Sequence, residues 1–160
     1  MNYLRHFGLR EAPFGITPDT SFFYACRSTQ EALNTLLIAV ANGEGFIKIT
    51  GEVGTGKTLL CRKFLSTLDT GWPSAYIPNP DLEPRALVQQ IAEELGVRVE
   101  PGVDQHHLLK GITRVLLDNA RQGRRVVLCM DESQGMPLET LETVRLLTNL
   151  ETEKRKLLQV

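Results

Sequence analysis

The 160-residue chain has no apolar run near the ~20 residues that a membrane-spanning helix needs. Its first residues, "MNYLRHFGLREAPF", lack the apolar core of a secretory signal. Cysteine is scarce: Cys26, Cys61 and Cys129 form no CxxC pair and join no His/Cys cluster, which argues against zinc. His6, His106 and His107 also lack metal-ligand spacing. The expectation is of free thiols in a reducing compartment, and so of a cytoplasmic location. No excess of either charge exists: 18 Lys and Arg stand against 19 Asp and Glu, so no global basic field recommends nucleic acid as a partner. There is no internal repeat and no low-complexity segment.

What is present is ordinary for a globular domain. Hydrophobic residues make up 42% and charged residues 23%, which argues against disorder and against a fibrous protein. The length suits one domain with a real core. Residues 1–27 read as an irregular N-terminal linker packed on the body. A helix is predicted from Ser28, which has capping-box spacing to Glu31, up to the stop at Gly43. Its apolar face is Leu33, Leu36, Leu37 and Val40. Then come a β-rich run "GFIKIT" (45–50), a helix carrying Leu60, Phe64, Leu65 and Leu68, and a strand over 74–79. Helices follow over 84–95 and 105–122, with leucines and isoleucines at i, i+4 and i+8. "RRVVLCMDE" (124–132) is apolar enough for a strand covered on both faces. Leu138, Leu141, Val144, Leu147 and Leu150 mark a further helix, and "KLLQV" (156–160) begins a fourth strand. Strands alternating with helices predict a three-layer α/β fold with a parallel sheet. Val160 looks like a poor place for a domain to stop. Residues 28–160 are therefore expected to be part of a P-loop domain, cut before the end of its core and before a lid.

"GEVGTGKT" (51–58) fits GxxxxGK[ST] in full, with a strand before it and a helix after it. Glycines let successive N–H groups point at phosphate oxygens, and the helix end adds partial positive charge. Gly51, Glu52, Val53, Gly54, Thr55, Gly56, Lys57, Thr58 and Leu59 are the expected seat of ATP or ADP with Mg²⁺. Lys57 would reach the β- and γ-phosphates, and Thr58 would ligate the metal. Asp131 would hold the Mg²⁺ water shell and Glu132 would polarise the attacking water. The strand ending in this pair is expected beside the P-loop strand. Asn79 ends the neighbouring strand. It is either a switch that restrains Glu132 or a plain turn residue in "PNP". Arg145 could face a neighbouring subunit; an ordinary surface position is the favoured reading. The charges of "EKRK" (153–156) are expected to cap a helix end.

Beyond single motifs, "HFGLREAPFGITPDTSFFY", "GFIKITGEVGTGKTLLCR", "AYIPNP", "VVLCMDESQ" and "LETVRLLTNLETEKRKLLQV" resemble the ExeA-type AAA+ ATPases. That family serves general (type II) secretion and the biogenesis of MSHA-type pili. The resemblance runs from Tyr3 to Val160, with Ser133 standing where the family usually has alanine. It implies an AAA+ core in which ATP hydrolysis drives assembly of an envelope machine. It also implies self-association into an oligomer, contacts with pilus or secretion components, and a location in the cytoplasm or at the inner membrane face. Phe22, Phe23 or Tyr24 would stack on the adenine and backbone near Thr17–Asp19 would read its edge, unless these aromatics only cover the sheet. Family members continue past the equivalent of Val160, so weak or no ATPase activity is expected of these residues alone. The alternative is an ATP-dependent DNA-binding adaptor of the transposition or replication-initiation type.

Overall fold

The structure is a computed structural model that describes residues 3–13, 20–68, 71–100, 102–153 and 155–160. In chain order it contains α1 (Tyr3–His6), α2 (Arg27–Asn42), α3 (Lys57–Thr67), β1 (Ser74–Ile77), α4 (Pro84–Glu94), α5 (Gln105–Arg121) and β2 (Val126–Met130). There follow α6 (Leu138–Thr148), β3 (Glu151–Thr152), β4 (Arg155–Lys156) and β5 (Leu158–Gln159).

β1, β2 and β5 form a parallel sheet in that order, with Ser74 opposite Val127 and Val126 opposite Leu158. Residues 45–47 lie along the far side of β5. The Ile47 N–H donates to the Val160 carbonyl (2.7 Å) and the Val160 N–H to the Gly45 carbonyl (2.9 Å). These two bonds flank Phe46 as in a parallel ladder. Burial also alternates along the segment, and Ile47 and Ile49 pack inward. The strand predicted over 45–50 is thus an extended line held by one bonded pair rather than a regular strand. Nor does β2 lie beside it, as expected from the sequence: β5 is inserted between them. The burial order agrees, since Leu158 on β5 is fully buried while Phe46 is half exposed.

The sheet is covered on both faces, which explains the unbroken apolar run of β2. Val126 and Leu128 face one way, into a core with Leu87, Ile91, Ile112, Leu116 and Val144 from α4, α5 and α6. Val127 faces the other way, against Leu33, Leu36 and Val40 of α2 and Leu60 and Phe64 of α3. Burial of each such side chain contributes roughly 1.5–3 kcal/mol. The three-layer α/β architecture predicted from the alternation of elements is the one observed.

Helix ends follow local chemistry with one exception. Gly43 closes α2 in the left-handed region (φ 87°), and Pro84 opens α4. Asp104 caps α5 by accepting the His107 N–H at 2.8 Å. Ser28 does not cap α2: the helix begins at Arg27, Cys26 takes the cap position, and Ser28 sits in the first turn beside its sulfur.

Two further expectations hold in part. α6 forms, but it buries Thr140, Val144, Leu147 and Thr148 while Leu138 and Leu141 stay exposed. The five aliphatic residues recur every three positions, and at 3.6 residues per turn Leu138 falls about 120° round the helix from Val144. Of "EKRK", Arg155 does reach a helix end, donating to the Ala120 carbonyl in the last turn of α5. Arg155 and Lys156 belong to a short antiparallel pair with β3, and Lys156 bridges to Glu151 at 2.6 Å. Lys154 lies outside the described residues. Among the described residues no helix is long and apolar enough to cross a membrane, and no group of three or more His, Cys, Asp or Glu is placed to hold a metal.

Candidate functional site

The glycine loop leaves the carboxyl end of the 45–50 segment and runs directly into α3. Gly54 (φ 82°) and Gly56 (φ 85°) adopt left-handed backbone that side chains rarely tolerate. Lys57 folds back over the turn, its Nζ donating to the carbonyls of Gly51 and Glu52 at 2.9 Å each. The Thr55 hydroxyl donates to the same Glu52 carbonyl at 2.8 Å. The loop carbonyls are thereby drawn towards Lys57 and Thr55. Leu60 is the first α3 residue whose N–H finds a helical carbonyl, that of Gly56 at 2.9 Å. Among the described residues no acceptor faces the N–H groups of Lys57, Thr58 and Leu59. These free donors sit at the positive end of an 11-residue helix, beside a lysine with flexible reach. Such a cradle fits the phosphates of a nucleotide.

Asp131 follows β2 at the same, carboxyl edge of the sheet. It is buried, and its carboxylate accepts from the Tyr76 hydroxyl at 3.2 Å and from the Glu132 N–H at 3.0 Å. Burial, reinforced by this carboxylate, pushes the Tyr76 phenol above its usual range, so it remains a donor. Two thiols tie the halves of the site together. Cys129 of β2 and Cys61 of α3 share a hydrogen bond, which lowers the Cys61 pKa; the same bond, and then burial, raise that of Cys129. Cys129 and Asp131 share one face of the chain at β spacing, and Cys61 lies one helical turn beyond Thr58. The Asp131 charge acts on both thiols. Asp131 therefore lies on the α3 side of the sheet, the side of the Thr58 hydroxyl. A hydroxyl and a buried carboxylate on that side suit a hard cation such as Mg²⁺.

Glu132 is the one described non-glycine residue with positive φ (49°). Such backbone costs energy and is concentrated at functional positions. Its exposed carboxylate accepts a short hydrogen bond from the Gln134 amide. Asn79 does what a turn residue does: its Oδ1 accepts the Asp81 N–H at 3.2 Å. Glu132 is thus engaged by Gln134, its near neighbour, rather than by Asn79.

Of the N-terminal aromatics, Phe23 lies under Lys63 of α3, with Nζ 5.7 Å from the ring centroid, while Phe22 and Tyr24 are exposed. Thr17–Asp19 lie outside the described residues. Arg145 is on the surface, paired through both oxygens of Glu142 at 2.7 Å. Tyr76, Cys61 and Cys129 were not anticipated as neighbours of the site. Alternation along "SAYI" and "VVLCMD" fixes which side chains share a face, but contact between α3 and the sheet is needed to bring them together.

Residues 40–160 match the family described as AAA domain. Over 158 residues, 99% of this chain, the sequence is 42% identical to general secretion pathway protein A of Aeromonas hydrophila. The chain spans 29% of that relative's length. No solved structure matches significantly. The parallel sheet between helical layers, the loop opening into α3 and the family match agree: the chain belongs to the AAA domain family of nucleotide-hydrolysing ATPases, whose members bind nucleotide with a metal, typically Mg²⁺.

Proposed function

We propose that residues 51–59 bind Mg²⁺-ATP and that Glu132 promotes its hydrolysis, in an ATPase that serves a type II secretion machine or the related assembly of an MSHA-type pilus. The observation that carries this reading is the free N-terminal turn of α3, with Lys57 folded over the loop beside it. Similarity to general secretion pathway protein A supports the secretion setting. Residues 1–27 are read as a segment attached to an ATPase domain over 28–160. Self-association and a station in the cytoplasm or at the inner membrane face belong to the same proposal.

The chemistry follows from positions. Lys57 Nζ exchanges the Gly51 and Glu52 carbonyls for the β- and γ-phosphate oxygens, and the N–H groups of Lys57, Thr58 and Leu59 hold the phosphate chain. The Thr58 hydroxyl and Asp131 would hold Mg²⁺, which supplies neutralisation of charge on the phosphates. The Tyr76 hydroxyl fixes the Asp131 carboxylate. Glu132 leaves Gln134, orients a water and takes its proton as the water oxygen attacks the γ-phosphorus and the bond to the β–γ bridging oxygen breaks. The Asn79 amide is retained as a residue near this edge, with a restraining role only if it leaves its turn.

The test is Glu132→Gln in the longest natural form of the protein. Binding of Mg²⁺-ATP is expected to persist while turnover falls at least a hundredfold, the usual scale for a lost general base. Unchanged turnover would remove Glu132 from the mechanism.

A further inference from the structure

The amino-terminal edge of the sheet, opposite the nucleotide loop, carries a cluster that ATP chemistry does not use. Arg124 and Arg125 lead into β2, Trp72 precedes β1, and Arg155 stands three residues before Leu158 of β5. With Gln122 and Gly123 they line a cavity of about 460 Å³, and no acidic side chain is among its described lining. β2 runs from this edge to Asp131, six residues beyond Arg125, so at about 3.3 Å per residue the two sites lie roughly 20 Å apart.

Two of the arginines are fixed. Arg125 Nη1 donates to the carbonyls of Val40 (3.1 Å) and Ala41 (2.8 Å) in the last turn of α2, and its guanidinium lies 5.8 Å from the Trp72 ring centroid. Arg155 Nη2 donates to the Ala120 carbonyl near the end of α5. Helix ends of this polarity hold cations in place but do not cancel their charge. The third arginine is unfinished: Arg124 is half-buried, and its enclosed Nε has no hydrogen-bond partner among the described residues. A buried guanidinium N–H without an acceptor is rare and unfavourable. Here it stands beside two pre-set guanidinium groups and a flat indole. Three planar cations with rigid donor forks match phosphate oxygens better than a lone carboxylate.

We propose that this cavity binds a phosphate-class oxyanion at a site separate from, and independent of, the nucleotide loop. Arg124 supplies a charge that no described carboxylate neutralises, Arg125 and Arg155 supply fixed charge, and Trp72 forms the apolar wall.

Trp72 is the single tryptophan of the chain and reports on the cavity directly. Inorganic pyrophosphate, titrated without Mg²⁺ at constant ionic strength, is expected to change its emission in a saturable way. The Lys57→Ala chain should keep that response, because the nucleotide loop is not its source. Arg124→Gln should raise the midpoint at least tenfold, and Arg124→Lys by less, with far-ultraviolet circular dichroism unchanged in both. Succinate at the same charge should bind far more weakly. A short single-stranded oligonucleotide that displaces pyrophosphate would assign the phosphate to a nucleic-acid backbone, and failure to displace it would assign a free phosphate compound. Absence of a saturable change overturns the proposal. So does a midpoint unmoved by Arg124→Gln, loss of the signal in Lys57→Ala, or succinate binding as tightly as pyrophosphate.

Discussion

Cys26 illustrates what single residues hold that their type alone does not announce. It stands at the start of α2, half-buried, with its sulfur 2.9 Å from the Thr29 hydroxyl and 3.3 Å from that of Ser28. Hydrogen bonds to Ser28 and Thr29 stabilise the thiolate and bring its pKa down to about 7. The three cysteines should therefore react in a fixed order. Iodoacetamide is expected to label Cys26 first, with a pH–rate midpoint near 7 rather than at the ordinary thiol value. Cys61 is buried and Cys129 is held as a thiol, so both should label only under denaturing conditions. Mass spectrometry of peptides at a series of pH values checks this; a Cys26 midpoint above 8.5 would contradict the geometry. The loop residues, Asp131 and Glu132 could be proposed from the sequence because their spacing is itself chemical. Tyr76 could not, since its partner Asp131 is 55 positions away and only the β1–β2 register brings them together.

At the scale of elements, hydrophobic periodicity exposed most of the fold. α4 and α5 bury the residues that i, i+4, i+8 spacing selects, with Leu87, Ile91, Ile112 and Leu116 fully inside. Periodicity failed where it was ambiguous. In α6 a three-residue step drifts round the helix, so Leu138 and Leu141 reach solvent. The 45–50 segment alternates like a strand, but its neighbour in the sheet is chosen by competition among apolar runs, and β5 wins. Two substitutions test this assignment. Ile112→Ala should cost about 2–5 kcal/mol in denaturant unfolding, as for other buried aliphatic truncations, whereas Leu138→Ala should stay within about 0.5 kcal/mol. Equal losses would mean that the faces are misassigned. Gly111, in the middle of α5, is a second case. A Cβ there would stand 2.6 Å from Val97 Cγ1. Gly111→Ala gains about 1 kcal/mol of helix propensity but forces that contact apart, so a net fall in Tm is expected. Adding Val97→Ala should recover part of it; a rise in Tm for Gly111→Ala alone would contradict the packing.

For the whole molecule, the parallel sheet separates two kinds of positive site. Its carboxyl edge presents the glycine loop and Asp131, as parallel α/β sheets place their ligands. Its amino edge presents the arginine cavity, which composition conceals because a formal net charge of −1 averages over both edges. The long-range ties at the amino edge are side chains rather than motifs. Gln159 of β5 is buried and donates to the carbonyls of Val40 (3.1 Å) and Glu44 (3.0 Å), joining the strand beside the loop segment to the end of α2. Such ties cannot be read from local spacing, whereas the loop and the strand–Asp–Glu sequence can.

The central claim is that Lys57 and the free first turn of α3 form a nucleotide seat. Isothermal titration calorimetry of Mg²⁺-ATP against the parent chain and Lys57→Ala tests it most directly. Saturable binding by the parent and at least a tenfold weaker affinity for Lys57→Ala, a loss of about 1.4 kcal/mol or more, is the expected result. Equal affinities in the two chains would contradict it.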